Sequence, residues 1–184
     1  AGAGGRVAVI GGPLSGKSTA LRSLVVSLSL THTPAEVQFF VLDFGGGTFA
    51  PFDSAAHVAS VATRDRGEVV HRTIAELEGI IADRERFFRA HRIDSMGTYR
   101  AGRAQGRFDD GYGDVFLVID GWATIRSDFD DLEQRLTVLA ARGLTFGVHL
   151  VISSGRWMDL RQPVKDVIAT RLELLPRSSL VINW

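Results

Sequence analysis

Gly11-Gly-Pro-Leu-Ser-Gly-Lys-Ser18 satisfies the pattern G-x-x-x-x-G-K-[ST] in full. The chemistry behind that spacing is specific. Backbone N–H groups of a glycine-permitted turn wrap phosphates, and the helix that follows aims its positive end at them. The flanking sequence agrees with this reading. Arg6-Val-Ala-Val-Ile10 is a short apolar run that reads as a buried parallel strand. Lys17 to Leu30 then carries Leu21, Leu24, Val25 and Leu28 at helical spacing. The loop therefore lies between a strand and a helix, the context that a phosphate-binding loop requires. Gly12, Pro13, Leu14, Ser15, Gly16, Lys17, Ser18 and Thr19 are the expected nucleotide-binding residues. Lys17 should reach the β- and γ-phosphates as a point charge, and the Ser18 hydroxyl should sit on Mg²⁺.

The second half of the site needs an acid at the end of another buried strand. Asp114-Val-Phe-Leu-Val-Ile-Asp120 supplies it, with five apolar residues ending in Asp120. That aspartate is the expected second metal residue, holding Mg²⁺ through water. Its plainer reading is a cap or turn residue ahead of Gly121. The residue after Asp120 is a glycine rather than an acid.

The chain has 184 residues, enough for one α/β domain with a real core. Lysine plus arginine and aspartate plus glutamate both number 21, so no global field draws it toward DNA or a membrane. The absence of cysteine excludes disulfides and thiolate metal sites. No apolar run approaches the roughly 20 residues that span a bilayer, and no secretion signal precedes the first strand. Residues 1–5 read as a linker or the cut edge of a longer chain, residues 6–176 as the nucleotide-binding domain. Residues 177–184 form a tail with no assigned role.

Further strands are expected at Val37–Asp43, Val58–Thr63, Gly147–Ser154 and Arg171–Leu175, and helices at about 67–90, 129–142 and 160–170. Residues 91–113 read as one short helix plus a surface loop. In the long helix Ile74, Leu77, Ile81 and Phe88 form an apolar stripe, while Arg84, Arg86 and Arg89, interleaved with Asp83 and Glu85, read as a solvated face. Phe44-Gly-Gly-Gly-Thr48 is either an anion nest or a mobile connector. Alternating strands and helices imply a mostly parallel sheet with helices on both faces and the ligand at the strands' carboxyl ends.

Several of these stretches resemble the FtsK/SpoIIIE branch of the RecA-like P-loop ATPases. Gly147-Val-His-Leu-Val-Ile-Ser-Ser-Gly-Arg156 is similar to that branch's penultimate core strand, and Val164-Lys-Asp-Val-Ile-Ala-Thr-Arg-Leu172 to the basic helix and strand that follow it. Within the branch, Thr31–Phe39, Leu42–Gly47, Arg89–Arg92 and Asp114–Trp122 most resemble the EccC family of type VII (ESX) secretion systems, in particular the second of its three tandem ATPase domains. The resemblance implies ATP and Mg²⁺ as ligands and neighbouring ATPase domains of the same protein as partners. It further implies hexamer formation in the full assembly, helical secreted substrates, and a cytoplasmic position beneath a membrane anchor, with no membrane insertion by this part.

Active members of the branch carry a glutamate directly after the aspartate at the Asp120 position and a glutamine in the penultimate strand's exit. Gly121 and Gly155 stand at those positions. Water positioning and general-base help are each worth factors of roughly 10² or more, so the resemblance implies retained binding with very slow hydrolysis. A water positioned by Ser153 or Ser154 would restore some activity. Arg156, Arg161 and Arg171 are equally readable as ion-pair residues, and none is nominated as an arginine finger. Trp122 and Trp157 suit either a docking surface or ordinary packing at strand ends. The alternative function is a DNA translocase of the FtsK type. The balanced charge and the missing acid weigh against it, because phosphate tracking needs a basic stripe and translocation needs hydrolysis.

Overall fold

A computed structural model describes residues 5–175; residues 1–4 of the expected linker and the expected 177–184 tail lie outside the described residues. The apolar runs become strands β1 (Arg6–Gly11), β2 (Val37–Asp43), β3 (Val58–Thr63), β4 (Asp114–Asp120), β5 (Val148–Ser154) and β6 (Thr170–Leu174). Between them lie α1 (Lys17–Thr31), α2 (Gly67–His91), α3 (Met96–Ala104), α4 (Trp122–Asp128), α5 (Asp130–Gly143) and α6 (Gln162–Val167). The strands form one sheet in the order β3-β2-β4-β5-β1-β6. Every pairing in it is parallel. Successive strand residues face opposite sides. Val9, Phe39, Val41, Val118 and Val151 therefore pack with Leu21 and Val25 of α1 on one face. Phe40, Leu42, Leu117, Ile119 and Ile152 pack with Ile74, Leu77, Leu136 and Val164 on the other. Each such side chain taken from water contributes about 1.5–3 kcal/mol, which is why these strands read as unbroken apolar runs.

Two expectations, for Arg84 and for the helix over 160–170, need correction, and the choice left open for the two tryptophans is decided. Arg84 is not on a solvated face: it is 1 % exposed, inside the packing of α2. Trp122 is likewise 1 % exposed, because Gly121 turns the chain into α4, a helix the sequence reading omitted, and tucks the indole into the core. Trp157 is half-buried against the same core with the Arg171 guanidinium 4.9 Å from its ring centre, so packing is the reading that holds for both tryptophans. The helix expected over 160–170 is confined to Gln162–Val167. Ile168 is already extended so that Thr170 can pair with Val7 of β1.

Asp114 ties α3 to the start of β4. Its carboxylate accepts from Arg100 Nε at 2.8 Å, Arg100 Nη2 at 2.6 Å and His149 Nε2 at 2.8 Å. Burial opposes ionisation, but the hydrogen bonds from His149 and Arg100 outweigh it and hold this carboxyl well below the usual range. Asp114→Asn should cost about 1–3 kcal/mol at pH 7. A depressed folded pKa gives stability that is present above the unfolded value of roughly 3.9 and is lost as pH falls through the folded one. The gap between the two proteins in urea denaturation should therefore be full at pH 7 and narrow below about pH 3. An equal gap at both pH values would contradict this account.

Candidate functional site

The loop expected to bind phosphate leaves β1 at Gly11 and enters α1 at Lys17. No side chain caps α1 and no acid occupies its first turn, so its unpaired N–H groups and positive end are free to meet an anion. Leu14, at φ 58°, stands fully exposed at the crest of the loop. Lys17 Nζ donates to the carbonyls of Gly11 and Gly12, at 2.7 Å each, spanning the turn. A cavity of about 450 Å³ opens here, lined by residues 14–19 together with Gly45, Asp120, Gly121 and Ser153. The structure thus brings Leu14, Ser15, Gly16, Lys17, Ser18, Thr19 and Asp120 together; Gly12 and Pro13 belong to the loop but do not line the cavity.

Asp120 reaches this place because β4 ends there, next to β5 in register. Its Oδ1 accepts from Ser153 Oγ at 2.5 Å, and the same Oγ accepts the Gly121 N–H at 2.8 Å. The carboxylate is therefore used across the sheet, not as a local cap. Its Oδ2 is buried and has no hydrogen-bond partner. Gly45 is the residue that sequence reasoning placed least well. Phe44 N–H donates to the Asp120 carbonyl at 2.9 Å, which lays Gly45 over the end of β4. A Cβ at Gly45 would collide with the Asp120 carboxylate, so the glycine is needed for close approach and the stretch is more than a connector. The nearest sequence signal was the glycine run directly after a strand.

Gly121 adopts φ 99° and ψ 62°, and a Cβ there would meet Phe44 at 3.2 Å. The missing acid is thus matched by a backbone that disfavours any side chain at this position. Gly155 is exposed beyond the end of β5. Asp120 is the one acid among the residues lining the loop cavity. Among the described residues no group of three or more His, Cys, Asp or Glu side chains gathers to hold a metal. A Mg²⁺ ion here would be completed by phosphate oxygens and water, the usual manner for this cation. The unpartnered Asp120 Oδ2, Ser18 on the same wall and the open end of α1 fit a Mg²⁺–nucleotide. The three arginines left open as finger candidates all make ion pairs: Arg156 with Asp159, Arg161 with Asp130 and Glu133, Arg171 with Glu173.

A second cavity of about 530 Å³ shares Leu14, Ser15, Gly16 and Thr19 and continues along Ala20, Ser23, Leu174 and Leu175. Its apolar and hydroxyl lining adjoins the loop between β1 and α1. A larger cavity of about 600 Å³ lies at the opposite, amino-terminal edge of the sheet around Tyr99, Arg100 and Asp114. There Arg100 is already neutralised by Asp114, and the phosphate-binding geometry is absent, so size does not make it the site.

The family model described as FtsK/SpoIIIE matches residues 1–178. The chain is 52 % identical over 174 residues to the ESX secretion system protein EccC of Thermomonospora curvata, covering 94 % of this chain and 13 % of that protein. It is 49 % identical over 173 residues to the ESX-4 secretion system protein EccC4 of Mycobacterium tuberculosis, covering 94 % and 14 % respectively. A solved structure of Thermomonospora curvata EccC, ATPases 2 and 3 in complex with a signal sequence peptide, superposes with a TM-score of 0.91 at 52 % identity, covering 94 % of this chain and 31 % of that one. The chain therefore spans about one seventh of the length of the full relatives it matches.

Proposed function

The chain belongs to the FtsK/SpoIIIE family, and on that premise we propose that it is an ATP-binding domain of a type VII secretion motor that turns its nucleotide over slowly or not at all. The observation that carries this reading is the pairing of a complete phosphate loop and Asp120 with a glycine, Gly121, held at φ 99° where hydrolysis needs an acid. Binding draws on ground-state contacts from the loop amides, Lys17, Ser18 and Asp120, none of which depends on the missing groups. Attack on the γ-phosphate needs a positioned water. Neither Gly121 nor Gly155 has a side chain to hold it, and Ser153 is already engaged with Asp120 and the Gly121 amide.

Residues 6–176 constitute one ATPase domain of a longer protein, corresponding best to the second in the tandem. In this role bound ATP stiffens the contact with a neighbouring ATPase domain and regulates a motor whose active centre lies elsewhere, within a hexameric, membrane-anchored assembly on the cytoplasmic side. The neighbours and helical secreted proteins are the partners; with positive and negative charges equal in number, plain duplex DNA is not. No helix among the described residues is long and apolar enough to cross a membrane, so anchoring is assigned to other parts of such a protein.

The test is to denature freshly purified chain, identify the released nucleotide, and measure Mg-ATP turnover. Intact ATP with turnover at least about 10²-fold below that of an FtsK/SpoIIIE domain retaining the acid and the glutamine is expected. Released ADP with steady turnover would overturn the slow-hydrolysis reading and return the domain to the active motors.

A further inference from the structure

Parallel register sets a row of three polar residues across the carboxyl ends of adjacent strands. Asp43 of β2 pairs with Asp120 of β4, and Ile119 pairs with Ile152, which aligns Asp120 with Ser153 of β5. Alternation places all three on the α1 face, the side of the phosphate loop. Ser153 and Asp120 have been accounted for above. Asp43 has not: it is 2 % exposed, like Asp120, in a sheet whose buried side chains are mostly apolar.

Its hydrogen bonding is half complete. Oδ2 accepts the Phe49 N–H at 2.7 Å and so closes the glycine-rich loop that lays Gly45 on Asp120. Oδ1 is buried with no partner. Asp43 and Asp120 thus stand side by side on neighbouring strands, about 5 Å apart between backbones, each with one satisfied and one unsatisfied oxygen. Among the described ion pairs no basic side chain neutralises either of them, and Lys17 is turned to the Gly11 and Gly12 carbonyls. A buried carboxylate without a basic partner is costly unless hydrogen bonds, a proton or a cation balance it, and here two such groups stand beside a loop suited to a Mg²⁺–nucleotide. Loop closure alone would require one acceptor oxygen, and the second, unpaired oxygen exceeds that need.

We propose that Asp43 supports the cation site from behind, positioning Asp120 and adding negative charge where Asp120 would hold the Mg²⁺ of a bound nucleotide. The inference rests on the nucleotide-binding reading above and deepens it. Asp43 does not line the loop cavity, so it acts behind Asp120 as a positioning and charge-balancing residue; Asp120 remains the acid that faces the ion. Such supporting groups around a metal are typically worth about 10–100-fold in its affinity. That role explains why Ser153 and the Phe49 amide each fix one aspartate: both carboxylates are held by one oxygen on the α1 face of the sheet and keep the other unpartnered. It also favours retention of the nucleotide without adding a group that could position the attacking water.

The test measures ATP affinity of the purified chain twice, in excess Mg²⁺ and in EDTA, for wild type and Asp43→Asn. Asparagine keeps a carbonyl oxygen for the Phe49 N–H and removes only the charge. The Mg²⁺-dependent gain in affinity should fall by about tenfold or more in the variant, while affinity in EDTA should be equal to or above wild type because a negative charge has left the triphosphate's surroundings. A loop-closing role alone would leave the ratio untouched. A ratio within about twofold of wild type, with wild-type binding intact, overturns the inference and spares the nucleotide reading. Absence of ATP binding by wild type in both conditions overturns both. Asp43→Ser, whose hydroxyl can accept the same amide, carries the same expectation and serves if the asparagine variant does not fold.

Discussion

Lys17→Ala is expected to weaken ATP binding by at least about a hundredfold, equivalent to roughly 2.8 kcal/mol, while the domain still folds. Among the described residues the ammonium is the only mobile positive charge on the wall of the loop cavity, since the other lining residues are glycines, hydroxyls, Leu14 and the acid Asp120. Loop amides and the end of α1 can orient phosphate oxygens, but they carry partial charges. A triphosphate taken from water needs a full one beside its β- and γ-groups. Lys17 Nζ donates to two loop carbonyls, so alanine also removes hydrogen bonds that brace the turn. These are part-exposed and worth about 0.5–1.5 kcal/mol each, small beside the core. Calorimetric titration with Mg-ATP, together with a urea melt, separates the two effects. Affinity within about threefold of wild type would refute the assignment of residues 11–18 as the phosphate site.

The strands and the loop were legible in the sequence for related reasons. A parallel strand covered on both faces must be apolar throughout, and Val37–Asp43, Asp114–Asp120 and Val148–Ser154 state this directly. The loop between β1 and α1 is equally open to reading because the residues of its proposed phosphate site are adjacent in sequence. What escaped depends on relations between distant elements. Asp43 reads as a strand end, and only the register that sets it beside Asp120 gives it a role. Gly45 reads as a flexible connector until the chain's crossing over β4 is known. Trp122 was open to two readings, although its spacing from Ile125 and Phe129, three and seven residues on, is that of a buried helical stripe. Arg84 carried the same kind of signal. Leu77, Ile81, Arg84 and Phe88 follow one another at intervals of four, three and four, so helical phase puts the arginine on the apolar side while composition alone puts it outside.

Arg84→Met should therefore be the most destabilising single substitution outside the apolar core, at about 3–5 kcal/mol. Its Nε donates to Asp110 at 2.7 Å, Nη1 to the Phe146 carbonyl at 2.7 Å, and Nη2 to the carbonyls of Tyr112 and Gly113 at 2.7 Å each. The Tyr99 ring stacks with its centre 5.3 Å from the guanidinium carbon, and Tyr99 Oη donates to the same Asp110. One planar cation thus ties the segment entering β4 to the turn entering β5, the two strands that deliver Asp120 and Ser153. Burial alone would raise the Asp110 carboxyl, yet hydrogen bonds from Arg84 and Tyr99 hold it below its ordinary range. Without the guanidinium, the Phe146 and Gly113 carbonyls lose their side-chain donor and Asp110 is left with Tyr99 Oη and the Tyr112 N–H but no cation, which is why removing one partner costs more than the pair contributes. Lysine should recover less than half of the loss, since a single ammonium cannot reach acceptors spread around a planar fork. At roughly 2–4 °C per kcal/mol for a domain of this size, the methionine variant should melt about 10 °C lower. Asp120 lies at the far end of β4, about 20 Å along the strand, so ATP affinity per folded molecule should not change. A stability loss below about 1 kcal/mol would show that water replaces the arginine's hydrogen bonds, and a loss of affinity in the folded fraction would show that this clamp sets the position of the Asp120 row.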